Sequence, residues 1–250
     1  MENSWSITLH IYRQKQGEKG YFQDFTLDVN PDEYILDAIE RVWAYHDRSL
    51  IFRHACHHST CGACGMLVNN KEKLTCITPI HTVAKNGGVV KIQPLKNFPI
   101  VSDLAVDMST FYIRMETVHQ AQVLPLDSAG LAYEVSPTSA TQPVALERLS
   151  DCIECGLCVS ACPSANTSSS YLGPGVLAGI HQTAVGQNDI SCYELADNEN
   201  GLWRCHTAFE CSAACPSFVD PAWRIMDLRK KVIQAKVLSF LKPKVNEVSR

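Results

Sequence analysis

The sequence contains no apolar run approaching the roughly 20 residues that a helix needs to span a bilayer. Its most apolar stretches, such as residues 237–241, are far shorter, so no membrane-crossing segment is expected. Charge of one sign is equally scarce. With 22 basic and 26 acidic residues the formal net charge is -4, and no basic run offers the electrostatic footprint of a nucleic-acid or anionic-membrane surface. The N-terminal residues contain no apolar h-region and no twin arginine. An exported, disulfide-forming chain is therefore not indicated, and a cytoplasmic location is expected.

Cysteine, in contrast, is abundant, at 12 in 250 residues. The length, with 46% hydrophobic and 19% charged residues, allows two ordinary globular domains. The spacing of the cysteines then decides their chemistry. Cys152, Cys155, Cys158 and Cys162, followed by Pro163, form the C-x2-C-x2-C-x3-C-P run of bacterial ferredoxins, in which three thiolates hold one cubane and the fourth serves a second cluster. A second run, Cys205, Cys211 and Cys215 before Pro216, superimposes on the first except that Ala208 stands where the middle cysteine would be. If each distal cysteine crosses over, Cys152, Cys155, Cys158 and Cys215 bind a [4Fe-4S] cluster, and Cys162, Cys205 and Cys211 remain for the other. Three thiolates suit a [3Fe-4S] cluster, because the methyl group of Ala208 cannot ligate a fourth iron.

Upstream, Cys56, Cys61 and Cys64 with a distal Cys76 have the C-x4-C-x2-C spacing of plant-type [2Fe-2S] proteins. Gly62 and Gly65 are expected to let backbone N–H groups approach the sulfides, and hydrogen bonds of that kind tune the potential. His57 and His58 lie in the same loop. A Rieske centre would need two imidazoles, but four cysteines already complete this site, so both are read as solvated. Cys192 lies outside every run. It is read as a buried thiol acting as a small apolar residue, in preference to a surrogate ligand completing a second cubane. Zinc, which favours isolated C-x2-C pairs, fits the pattern badly.

Alternation at Trp5, Ile7, Leu9 and Ile11, and again at Phe25, Leu27 and Val29 beyond a Gly-containing turn, predicts a β-hairpin. Asn30 and Pro31 are expected to cap a helix carrying Ile35, Leu36, Ile39, Val42 and Trp43 on one face. Strands are expected at residues 66–68 and 89–93, with Cys76 also strand-borne after a turn at Asn69 and Asn70. Near residue 104 the pattern turns helical, which sets the expected domain boundary, with a helix over 106–115 and a Ser, Thr and Pro-rich connection over 123–143. Short helices are expected between the cysteine runs. Asp220 and Pro221 then cap a final helix with Ile225, Leu228, Val232 and Ile233 inward, before a frayed tail from Pro243.

A [2Fe-2S] loop followed by interleaved ferredoxin runs, one of them missing a cysteine, closely resembles the iron–sulfur subunit of succinate dehydrogenase and fumarate reductase. The resemblance spans nearly the whole chain and includes Phe52, Arg53 and His54 before Cys56, residues 61–66, residues 103–112 and residues 215–221. It implies an α+β chain, with an N-terminal β-grasp plant-type ferredoxin domain over 1–104 and an α-helical bacterial-type ferredoxin domain over 105–250. It also implies an FAD-bearing flavoprotein partner and membrane-anchor subunits, with or without haem. Single electrons would pass through the [2Fe-2S], [4Fe-4S] and [3Fe-4S] clusters between that FAD and a quinone, at the cytoplasmic face of the inner membrane, with no nucleic acid involved.

On this reading the chain supplies position, ligation and electrostatics rather than an acid, base or nucleophile. Pro163, Ser164 and His206 match the family's quinone-proximal positions. Ubiquinone-reducing members commonly carry tryptophan shortly after the Cys-Pro-Ser, whereas this chain has Ala165, Asn166 and Thr167. The quinone type, or the acceptor itself, is thereby left open. The alternative is a related fumarate reductase or flavin dehydrogenase with a non-quinone, for example thiol, electron partner.

Overall fold

The computed structural model describes residues 4–119, 152–186 and 192–241. The expected connection over 123–143 and the expected tail from Pro243 lie outside the described residues. β1 (Trp5–Arg13) and β2 (Tyr21–Val29) form the expected antiparallel hairpin, with Trp5 opposite Val29 and Arg13 opposite Tyr21. The period-two alternation buries Ile7, Leu9, Ile11, Phe25, Leu27 and Val29 together. β3 (Gly65–Val68) and β4 (Lys71–Leu74) form a second hairpin. Its turn residues Asn69 and Asn70 have φ of 51° and 64°, the left-handed pair that a two-residue hairpin loop demands.

β5 (Val89–Gln93) lies between the hairpins, parallel to β1 and antiparallel to β3. The sheet order is therefore β2-β1-β5-β3-β4. α1 (Ile35–Arg41) packs Ile35, Ala38 and Ile39 into the same core, giving the mixed sheet and helix of a β-grasp.

Two details of α1 differ from expectation. Asn30 and Pro31 make a turn, in which Asn30 Oδ1 accepts the Asp32 N–H at 3.0 Å. The helix starts later, where the Asp37 carboxylate accepts the Tyr34 N–H at 3.1 Å. Its end widens into a π-helical segment, Val42–His46, and Trp43, expected on the apolar face, is left exposed.

β6 (Ile100–Ser102) and β7 (Ala105–Val106) pair at the junction of the two units. Leu104 packs into the first core and Val106 into the second. The helix expected from residue 106 begins instead at Ser109, as α2 (Ser109–His119), just after Asp107 accepts the Ser109 N–H at 2.9 Å.

α5 (Pro174–Gly186) packs against both α2 and α8 (Pro221–Leu241), and Phe111, Met115 and Val118 of α2, Leu177 and Ile180 of α5, and Ile225, Leu228 and Val232 of α8 share one core. α8 begins as its sequence predicts, with Asp220 Oδ1 accepting the Trp223 N–H at 3.2 Å. Ile233, expected inward, is exposed. Four short helices carry or flank the cysteines: α3 (Leu157–Ser160), α4 (Pro163–Thr167), α6 (Cys192–Ala196) and α7 (Glu210–Ala213). Among the described residues no helix is long and apolar enough to cross a membrane.

Candidate metal centres

The first loop is curled by left-handed residues His57, Ser59 and Gly62, which turn its backbone N–H groups inward. Thr60 and Cys61 each donate to Cys56 Sγ at 3.3 Å, and Ser59 donates to Cys76 Sγ at 3.4 Å. The β3–β4 pairing sets Gly65 against Leu74, and Thr75 hydrogen-bonds the Cys64 carbonyl through both its N–H and its hydroxyl. Cys64 and Cys76 are thereby brought within thiol–thiol reach, and Cys56 likewise meets Cys61. Cys76 sits in a 3-10 turn, Thr75–Ile77, just past β4. The expected strand position fails because Thr75 folds back onto Cys64.

The other thiols line two cavities. Cys152, Cys155, Cys158 and Cys215 face a space of about 430 Å³, walled also by Phe111, Gly175 and Val219. Cys162, Cys205 and Cys211 face one of about 350 Å³, together with Ala208, Tyr171 and the three residues Pro163, Ser164 and His206. Each set therefore combines the first residues of one run with the distal cysteine of the other. Cys192 lines neither cavity and is buried on α6 beside Ala196 and Leu202.

The two runs repeat in backbone conformation as well as in spelling. Cys155 lies between Glu154 and Gly156, with φ of 51° and 76°, and Ala208 between Thr207 and Phe209, with φ of 55° and 62°. α3 and α7 then begin on those left-handed residues, the Ser160 N–H reaching the Gly156 carbonyl and the Ala213 N–H reaching that of Phe209. Ala208 thus occupies the place of Cys155, with a methyl group instead of a thiol.

The electrostatics fit a cationic occupant. Burial pushes the Cys155 and Cys211 thiols up to about 12 and raises Cys152, Cys158 and Cys162, with neighbouring thiolates adding repulsion. No lysine or arginine lines either cavity. Such thiols ionise together only when metal neutralises them, so the donor sets suit iron–sulfur clusters. Cys56 is the exception: hydrogen bonds from the His58 and Cys61 N–H groups hold it down at about 6.

The quinone-matched residues differ in access. Ser164 is buried, its N–H and hydroxyl directed at Cys162, whereas Pro163 and His206 are exposed. His57 is more than a solvated loop residue, since its Nε2 lies 3.2 Å from Glu40 Oε1 and His54 Nδ1 lies 3.0 Å from the same oxygen. Sequence reasoning assigned no role to Tyr171, which lines the cavity of Cys162, Cys205 and Cys211, or to Asp103, whose carboxylate takes the N–H groups of Gln14 and Ile51; both are buried polar residues without a spacing pattern to flag them.

A β-grasp unit and a helical unit presenting these thiol sets define a one-electron carrier of the iron–sulfur class. In agreement, residues 8–113 match the 2Fe-2S iron-sulfur cluster binding domain and residues 148–219 match the 4Fe-4S dicluster domain. The chain is 34% identical to the fumarate reductase iron-sulfur subunit of Haemophilus influenzae, over 98% of this chain and 100% of that protein. It is 31% identical to the subunit of the same name from Mycobacterium tuberculosis, over 86% and 87%. Its fold matches a chain of the Mycobacterium smegmatis Sdh1 complex with a TM-score of 0.77 and 25% identity, covering 97% of this chain and 100% of that one. The chain belongs to the family of fumarate reductase and succinate dehydrogenase iron–sulfur subunits, the electron-relay subunits of complex II-type oxidoreductases.

Proposed function

We propose that Cys56, Cys61, Cys64 and Cys76 hold a [2Fe-2S] cluster, Cys152, Cys155, Cys158 and Cys215 a [4Fe-4S] cluster, and Cys162, Cys205 and Cys211 a [3Fe-4S] cluster. The observation that carries this reading is the sorting of seven of the eight C-terminal thiols into two cavities, four and three, with Ala208 beside the three. When bound, the clusters supply one-electron redox chemistry; the chain supplies ligands, N–H donors to sulfur and a fixed spacing. Single electrons then pass between the FAD of a flavoprotein partner and a quinone at a membrane anchor.

We place the first loop toward the flavoprotein and the cavity of Cys162, Cys205 and Cys211 toward the anchor, at the cytoplasmic face of the inner membrane. Exposed Phe209, which lines that cavity, supports docking to an apolar partner surface there. His206, Pro163 and Ser164 are the quinone-proximal residues of this reading. A second reading, with a non-quinone acceptor, rests on α4, where Ala165, Asn166 and Thr167 place no aromatic side chain beside the cavity.

EPR of the intact complex, as isolated and after succinate or dithionite, tests the assignment. An oxidised-state three-iron signal is expected that disappears on reduction, alongside reduced [2Fe-2S] and [4Fe-4S] signals. Detection of cubane signals alone would refute the four-four-three ligand count.

A further inference from the structure

Tyr171 is 2% exposed and lines the cavity of Cys162, Cys205 and Cys211. Its hydroxyl oxygen is shielded from solvent and has no hydrogen-bond partner among the described residues. Leaving a buried hydroxyl unpaired is costly, and a phenylalanine would fill the same space without that penalty. The ring is also held in place. Arg114 donates to the Tyr171 carbonyl at 2.8 Å and to the Ser169 carbonyl at 2.9 Å, while the Leu172 N–H reaches the Asn200 carbonyl at 2.8 Å.

The hydroxyl faces the thiol set. A phenol hydroxyl is a donor, and the acceptors this cavity offers it are the sulfurs of Cys162, Cys205 and Cys211 and those of the cluster they would hold.

We propose that the Tyr171 hydroxyl donates a hydrogen bond to a sulfur of the cluster held by Cys162, Cys205 and Cys211 and raises that cluster's reduction potential. This rests on the ligand reading above. Reduction adds one electron to the cluster and negative charge to its sulfurs, so a fixed O–H donor stabilises the reduced form more than the oxidised one. No proton is transferred. Tyr171 acts as a tuning and positioning residue, holding the last relay high enough to draw electrons from the preceding one.

The test is a potentiometric EPR titration of the whole complex, wild type and Tyr171→Phe, with pulsed EPR of the oxidised three-iron signal after exchange into D2O. At the wild-type midpoint the reduced-to-oxidised ratio of the third cluster is expected to fall about tenfold in the variant, equivalent to about 59 mV for a one-electron couple. The other two midpoints should be unchanged, and the wild type should show one exchangeable deuteron coupling more than the variant, which keeps those of the Ser164 and Thr207 donors to Cys162 and Cys205. An unchanged third midpoint, or equal shifts in all three clusters, would overturn the proposal. If the variant fails to load its cluster, the count of coupled deuterons in the wild type decides: none beyond those of the Ser164 and Thr207 donors overturns the proposal. Absence of any three-iron signal from the wild type would instead refute the ligand reading itself.

Discussion

Gly62 of the first cysteine loop packs directly on Cys155 of the second: a Cβ built on Gly62 would lie 2.8 Å from the Cys155 Cβ, 2.9 Å from its Cα and 2.9 Å from the Ile153 carbonyl oxygen. The sequence suggested that Gly62 makes room for N–H groups to approach sulfides, but what a side chain here would meet is the neighbouring unit. The donors to sulfur are His58, Ser59, Thr60 and Cys61. Loops that abut without an intervening side chain keep the tunnelling path from the first cluster to the second short.

Gly62→Ala should therefore open this junction. Gly62 has φ of +68°, which costs an L-residue roughly 1–2 kcal/mol, and the clash is with rigid backbone, adding about 1–3 kcal/mol. A lower melting temperature and slower electron passage beyond the [2Fe-2S] centre are expected, read by thermal unfolding and by rapid-freeze EPR of the loaded complex. Unchanged stability together with unchanged kinetics would show that the loops do not touch in solution.

Asp103 anchors the floor of the first unit. It is fully buried; Oδ1 accepts the Gln14 N–H at 2.9 Å and lies 3.2 Å from Arg13 Nε, while Oδ2 accepts the Ile51 N–H at 2.9 Å and Lys15 Nζ at 3.1 Å. Arg13 is itself 2% exposed, so Asp103→Ala leaves a buried guanidinium short of one carboxylate and two N–H groups unpaired. A loss of about 3–5 kcal/mol is expected in urea unfolding. The loss should change little with salt, since the pair is sheltered from ions. A loss under about 1 kcal/mol, or one abolished by salt, would mean that the cluster behaves as a surface ion pair.

His181 gives the helical unit a pH dependence. Burial lowers its pKa, and nearby Arg224 and Lys231 push it further, against the pull of Asp227. Its Nε2 lies 2.8 Å from Asp227 Oδ2, and Arg224 reaches its Nδ1 at 3.5 Å, an arrangement that suits the neutral ring. A base whose pKa is lower folded than unfolded binds more protons when unfolded, so this contribution is complete above the unfolded value of about 6.5 and is lost as pH falls from there toward the folded value. Asp227, lowered by Lys231 and His181 in spite of burial, acts in the opposite range, losing its contribution only below the ordinary carboxylate value. Urea midpoints of the loaded protein should fall between pH 7 and 5 in the wild type and fall less in His181→Gln. Identical pH slopes in the two proteins would rule this out.

The parts of this molecule legible in its sequence are those written as spacing. The β1–β2 hairpin follows from strict alternation, β5 from its apolar run, and the thiol sets from cysteine intervals that only cluster ligation requires. Where boundaries slipped, a polar side chain had captured a backbone N–H. Asp37 starts α1 later than Pro31 suggested, and Asp107 lies just ahead of α2. Tyr171, Asp103 and the Gly62 contact were illegible because each depends on residues distant in sequence, whose approach is set by the packing of the two units and not by any local pattern. The sharing of Leu36, Leu74 and Leu95 with the helical core is of the same kind.

Ala208 is the residue at which one substitution should change the identity of a cluster. Its backbone already repeats that of Cys155, between left-handed Thr207 and Phe209, and it lines the cavity of Cys162, Cys205 and Cys211. Ala208→Cys therefore needs no rearrangement to offer a fourth thiolate. The expected product is a second [4Fe-4S] cluster with a lower potential, and iron content per chain should rise from about nine to about ten. In EPR the oxidised three-iron signal should vanish and a second reduced-state cubane signal should replace it. Electron passage through the last relay should slow, because its potential would have moved away from that of its neighbours. Ala208→Ser, similar in volume but lacking the thiol, should keep the three-iron signal. Persistence of that signal in Ala208→Cys, with iron content unchanged, would show that Ala208 does not stand at the open corner.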